Sequence, residues 1–419
     1  MSARPAPQSP PEAGGGSGYT SLCVFLLGAV ALIMPFGYFV GPTLLLLGSA
    51  ALPFMRPRLA LGRREWAIMI TLLVYAATSL LDSGWYDRPG AWLLEPGWSL
   101  LAIPALLLLL AYPPQAAFLW AGLASGGLAT GVWSSWQSLI AGVMRAGGFI
   151  NTIQFGDLSM LLGLLCLAGL GWAWTRPRRR AWLALLLLGA IGGILGSLLS
   201  GSRGGWVVMP FALGVLYYGY GRHISRRGLA GLAVGIVAAA VLVYSIPQTG
   251  VQERVQRAFS NFAVFLEQGD PRSSVGARLA MWHTALNLIP EKPLLGWDTP
   301  GYERVRERLI AEGEIHPLLA RFEHMHNDVL DAWLKRGAVG LAALLALYLV
   351  PLRLFSRHLR DPDLPLRAFA LAGVLLPLAY LGFGLSQAFL AYDNGVVMYV
   401  FLLVTLWAGM RERERTLAH

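Results

Sequence analysis

Charged residues are scarce in this chain of 419 residues: Asp, Glu, Lys and Arg together make up 13% of it. Soluble domains carry about 25%, and a chain with roughly half that density cannot cover its own surface with water-compatible side chains. A soluble protein is thereby excluded. Cysteine is nearly absent too; Cys23 and Cys166 are the two, each inside an apolar run. That rules out a disulfide framework and leaves both as packing residues. There is no G-x-x-x-x-G-K, which excludes a P-loop motor, and no H-E-x-x-H or paired C-x-x-C to hold zinc. Lysine is limited to Lys292 and Lys335, so the net charge of +10 is carried almost wholly by arginine. What is abundant is apolar: 56% of the residues are hydrophobic, which points to an all-α polytopic membrane protein.

Residues 1–18 are rich in Pro, Gly and Ser and lack an apolar period, so they are expected to form a disordered tail rather than a cleaved signal. About twelve apolar spans of helical length follow, roughly at 20–37, 39–55, 66–83, 97–112, 116–139, 157–174, 182–200, 206–220, 229–246, 337–352, 368–390 and 396–410. Arginine clusters after the second, sixth, eighth and tenth spans and at the end: Arg56, Arg58, Arg63 and Arg64; Arg176 and Arg178 to Arg180; Arg222, Arg226 and Arg227; Arg353, Arg357, Arg360 and Arg367; and Arg411, Arg413 and Arg415. The short joins of the other face hold only Arg88, Arg145 and Arg203. By the positive-inside rule both termini are cytoplasmic. The basic excess is thus a topology signal and not a nucleic-acid surface. Trp85, Tyr86, Trp92 and Trp98 fit an aromatic belt on the outer side.

The expected division is a tail at 1–18, nine spans over 19–246, a polar outer loop over 247–336, three spans over 337–410 and a cytoplasmic tail at 411–419. The loop carries helical period in VQERVQRAFSNFAVFLEQ, ARLAMWHTALNLI, YERVRERLIAEG and HPLLARFEHMHNDVLDAWLKR, with Gly/Pro breaks between them. Long loops with their own structure usually carry function. The pairs Gly122/Gly126, Gly127/Gly131 and Gly192/Gly196 read as helix-packing faces.

Three places hold the candidate chemistry. Arg203, in Ser200-Gly-Ser-Arg-Gly-Gly205, is wedged between two apolar runs, where an arginine is costly unless paired or facing a wet cavity. The N–H groups opening the following span would also favour an anion there; the competing reading is a snorkelling interfacial arginine. Arg278 stands on an apolar-faced helix that could lie on the membrane and aim it at a lipid phosphate, against the alternative of a solvated arginine. In His324-Met-His326-Asn327-Asp328 the two histidines would point to different faces of a helix, which suits one general base better than a shared metal. Glu323 or Asn327 would orient that base. Asp361-Pro-Asp363 looks like a metal site for sugar nucleotides but reads better as a solvated turn, and His283 reads as structural.

At these residues the chain resembles the O-antigen ligase and polymerase superfamily of bacterial envelope glycosyltransferases. His326-Asn327, nine residues, then Gly337-Ala-Val-Gly340 match the ligases' pattern of His and Asn, Ser or Gln followed nine residues later by G-x-x-[GTY]. Ser202-Arg-Gly204, Gly276-x-Arg-x-x-x-Trp282, Pro293-Leu-Leu-Gly-Trp297 and, more loosely, RAGGFINTIQFGDL at Arg145–Leu158 are also similar. The resemblance implies metal-independent, inverting transfer of a glycan from undecaprenyl diphosphate to the lipid A-core oligosaccharide at the periplasmic face of the bacterial inner membrane, without a cofactor. It makes Arg203 and Arg278 the diphosphate-holding residues and His326 the base, with Arg145, Asn327 and His324 as further substrate-binding candidates, although His324 lies outside the ligase pattern. The partners would be the lipid-linked donor, the lipid A-core acceptor and membrane lipids. An O-antigen polymerase, a protein O-oligosaccharyltransferase and, as a non-enzyme, a lipid-linked oligosaccharide flippase are the alternatives. The short stretch after the last span speaks against protein glycosylation, and the scarcity of charge within the spans against a flippase.

Overall fold

The computed structural model describes residues 15–57, 59–82, 91–221, 256, 260 and 271–418. Among these residues all regular structure is helical, as apolar segments in hydrocarbon require, because backbone groups there must bond within their own segment or to neighbouring protein. Before residue 222 run α1 (Gly15–Ala29), α2 (Gly37–Ser49), the short α3 (Leu52–Met55), α4 (Arg63–Asp82), α5 (Ala91–Ala111), α6 (Ala116–Leu139), α7 (Thr152–Trp174), α8 (Arg179–Ser200) and α9 (Gly204–Tyr220). After residue 270 come α10 (Ser274–Leu288), α11 (Thr299–Ala311), α12 (Asp328–Ser356), α13 (Leu364–Phe383) and α14 (Asp393–Ala418).

Seven of the described helical stretches are long and apolar enough to cross a membrane: Gly37–Met55, α6, α7, α8, α12, α13 and α14. The protein is a multi-pass membrane protein. The span expected at 229–246, the helix expected over 251–268 and the residues Trp85, Tyr86 and Arg88 lie outside the described residues, Gln256 and Ser260 aside.

α7, α13 and the apolar part of α14 are buried along almost their whole length and form the centre of the bundle. α8 packs on α6 and α7, α9 and α12 pack on α13, and α4 packs on α12. The α6–α8 contact is made backbone to backbone: a Cβ on Gly127 would lie 2.4 Å from the Gly189 carbonyl oxygen, and one on Gly192 would lie 2.4 Å from that of Gly127. The expected small-residue faces are therefore helix contacts, as lipid-embedded packing favours. Cys23 and Cys166 are both buried and free.

Arg64, Arg360 and Arg413, from three of the arginine clusters, lie at one end of the bundle. Arg64 pairs with Glu414 at 2.9 Å, Arg413 with Asp363 at 2.6 Å, and the Arg360 guanidinium lies over Tyr218. Asp363 also caps α13 by accepting from the Leu366 N–H at 2.8 Å, so the Asp361-Pro-Asp363 turn is structural.

Two expectations are corrected. The tail was expected to extend to residue 18, but α1 starts at Gly15, because Ser17 and Thr20 donate to the Pro113 and Tyr112 carbonyls at 3.0 and 2.8 Å and dock this end onto the exit of α5. The helical period read over 316–336 is also interrupted: a short 3-10 turn at Pro317–Arg321 gives way to irregular backbone, and α12 begins only at Asp328. Asn327 causes this start, its Oδ1 accepting from the N–H groups of Val329 and Leu330 at 3.0 Å each.

α12 is broken at Gly337 (φ 61°, ψ −162°), where the expected outer loop ends and the expected tenth span begins. The break orphans backbone groups, and Pro293-Leu-Leu-Gly-Trp297 with Asp298 satisfies them. The N–H groups of Trp297 and Asp298 donate to the Leu334 and Lys335 carbonyls at 2.9 Å, and those of Ala338 and Val339 donate to Pro293 and Leu294 at 2.8 and 3.3 Å. A Cβ on Gly337 would sit 2.2 Å from the Leu294 oxygen. Two of the motifs seen in the sequence thus form a single structural clamp.

Candidate active site

At the other end of the bundle, four segments distant in sequence bring together Arg145, Arg203, Arg278 and His326. Arg203 is the residue before α9, in the turn that leaves α8. The turn is fixed by Asp157 of α7, wholly buried, whose Oδ1 accepts from Ser202 Oγ at 2.6 Å and from the Gly205 N–H at 2.8 Å. Where an anion was expected at the opening N–H groups of this helix, a carboxyl group of the protein itself takes the Gly205 N–H. Arg145 reaches the same turn, its Nε donating to the Ser200 carbonyl at 2.9 Å.

Arg278 projects from α10, where Ser273 caps the helix and Ser274 Oγ accepts from Arg278 Nη1 at 3.0 Å. Its Nε is buried with no hydrogen-bond partner. Burial holds this guanidinium below its ordinary pKa, and the charges that push it the same way are Arg203 and Arg145. Arg145 is likewise lowered by burial. Three arginines, two of which act on the third, make a setting that favours a polyanion.

His326 sits in the turn before α12 with φ at 47°, a left-handed conformation that costs a non-glycine residue energy unless its surroundings enforce it. They do so: Asp331 accepts from the Met325 N–H at 3.0 Å, Lys335 reaches the Glu323 carbonyl at 2.9 Å, and Trp282 of α10 donates to the Met325 carbonyl. Burial lowers the His326 pKa, the Gln387 hydrogen bond raises it and Arg278 lowers it again. The net direction is down, which keeps the imidazole neutral near neutral pH. His324 is also lowered, chiefly by burial; its Nδ1 is buried with no partner, and its ring meets Tyr392 edge-on.

The residues singled out in the sequence therefore divide. Arg145, Arg203, Arg278 and His326 converge. Asn327 spends its side-chain oxygen on the helix cap, and neither it nor Glu323 orients His326: Nδ1 of His326 bonds instead to Gln387 Oε1. Asp157 and Gln387 were missed. Asp157 stands inside RAGGFINTIQFGDL, the loosest of the sequence similarities, whereas nothing in the local pattern around Gln387 marks it. Among the described residues no group of three or more His, Cys, Asp or Glu side chains is placed to hold a metal ion.

Residues 190–345 match the O-antigen ligase family model. The match contains Arg203, Arg278, His326 and the clamp at Gly337, while Arg145, Asp157 and Gln387 complete the site from outside it. Along most of its length the chain is also similar to an uncharacterised protein of Haemophilus influenzae, 27% identical over 381 residues, covering 90% of this chain and 95% of that protein. It is similar to the O-antigen ligase of Escherichia coli at 23% identity over 188 residues, covering 44% of this chain and 41% of that one. Both matches to O-antigen ligases cover less than half of this chain.

Proposed function

We propose that this protein is an O-antigen ligase, transferring undecaprenyl-diphosphate-linked glycan to the lipid A-core oligosaccharide at the periplasmic face of the inner membrane. The observation that carries the reading is the convergence of Arg145, Arg203 and Arg278 beside a histidine held neutral. As the anomeric C–O bond breaks, the departing diphosphate gains negative charge. Guanidinium groups already in place in a poorly solvated site stabilise that charge with no reorganisation and without a metal. A sugar hydroxyl is a weak nucleophile near neutral pH, and a neutral imidazole is suited to take its proton as it attacks the anomeric carbon from the opposite face, inverting it. The proposed architecture has twelve spans, both termini in the cytoplasm, and 247–336 as the outer loop roofing a cleft open to lipid.

A polymerase would share the donor chemistry and differ in the acceptor. Cells lacking the protein distinguish the two: accumulation of full-length polymer on undecaprenyl diphosphate supports the ligase, whereas accumulation of single repeat units would replace it with the polymerase.

A further inference from the structure

We propose that Gln387 is a positioning residue that holds His326 as its Nδ1–H tautomer and so leaves Nε2 as the proton acceptor. The inference rests on reading His326 as the base of a glycosyl transfer. Gln387 is buried, 1% exposed, in the turn between α13 and α14. On its far side Nε2 donates to the Tyr392 hydroxyl at 2.9 Å, and its carbonyl oxygen meets His326 Nδ1. A carbonyl oxygen only accepts, so a neutral imidazole facing it must carry its proton on Nδ1.

The same frame holds both partners. Asp328, two residues after His326, donates its N–H to the Gly384 carbonyl at 2.8 Å and accepts from the Leu390 N–H at 3.4 Å. It thereby grips the segment carrying Gln387 at both ends. Of the charged and titratable groups around His326, Arg278 on α10 opposes its protonation, Asp331 on α12 favours it, and His324 shares its turn. An amide suits this balance: a carboxylate in its place would hold the imidazolium and blunt the base near neutral pH. In the step, the acceptor O–H proton passes to Nε2 and the oxygen bonds the anomeric carbon. The C–O bond to phosphate breaks, with its electron pair leaving on the diphosphate.

The test uses the full chain in lipid nanodiscs with ring-15N histidine. The His326 signals are assigned by their loss in His326→Ala, and pH profiles of single-turnover transfer are recorded in parallel. The expected wild-type spectrum shows the Nδ1–H tautomer. Gln387→Glu should raise both the His326 midpoint and the acid limb of transfer by about one pH unit or more. Gln387→Leu should lose the tautomer preference and slow transfer roughly tenfold or more, with binding of an undecaprenyl diphosphate analogue unchanged. An Nε2–H tautomer in the wild type, or a midpoint unmoved by Gln387→Glu, would overturn the proposal. The ring spectra need no glycan donor, so they stand if the ligase reading fails; failure of this proposal would appear in them while transfer is still measurable.

Discussion

The indole Nε1 of Trp282 donates to the main-chain carbonyl of Met325 at 2.9 Å. One helical turn before Trp282 is Arg278, and the residue after Met325 is His326, so this bond ties the anion-binding helix to the turn that presents the base. Trp282→Phe keeps most of the packing and removes the bond, at a net cost of about 1 kcal/mol in stability. Transfer should fall far more than the unfolding midpoint does. Equal retention of stability and turnover would show that the two groups need no such tie.

The arginines and His326 were legible because each stands in a short local motif. Asp157 and Gln387 were not, because their partners lie 45 and 61 positions away and no period or spacing links them. The break in the helix read over 316–336 did carry a signal: Asn327 followed by Asp328 and Asp331 is an N-cap with an acidic first turn. The amphipathic period of the flanking residues masked it. The Gly337 break was equally hidden, since a clamp from another segment, rather than a local turn, replaces its missing helical bonds.

That clamp makes a second prediction. Gly337→Ala places a methyl group against the Leu294 carbonyl at a positive φ, a strain of about 1–3 kcal/mol before the clash is counted. Gly214→Ala, with nothing within 4 Å of its Cβ, is the control. Thermal unfolding in detergent should show a clear loss for the first and none for the second.

Sidedness is a third. The ion pairs joining Arg64, Glu414, Asp363 and Arg413 lie at one end of the bundle, with the three site arginines at the other. Thiol labelling of single-cysteine variants should reach the C-terminus and the Arg178 region only from the cytoplasm, and Gly313 only from the periplasm. An externally labelled C-terminus would invert the topology and remove the site from its donor.

Chelation is a fourth. If the arginines do the work that a divalent cation performs in other transferases, purified protein should transfer glycan at an undiminished rate in excess EDTA. Activity that vanishes with chelator and returns with added cation would mean that the diphosphate is held elsewhere.

The last prediction separates the arginines from the histidine. Arg203→Ala or Arg278→Ala removes a charge-assisted contact worth ~1.5–3 kcal/mol in donor binding, and more in the transition state as charge develops on the leaving group. Lysine should rescue poorly, because a point charge cannot reproduce a bidentate fork. His326→Ala leaves the donor site whole but removes the base, a contribution of roughly 10²–10⁴-fold, so affinity should persist while turnover collapses. In the wild type, burial and then Arg278 outweigh the Gln387 hydrogen bond and hold the imidazole below its ordinary value of 6.5. Transfer should therefore stay level through neutrality and decline only as acid protonates His326 below that value. Binding of an undecaprenyl diphosphate analogue and single-turnover rates across pH measure both halves. If His326→Ala lost donor affinity while the arginine variants kept it, the roles assigned here would be reversed, even with all three proteins inactive.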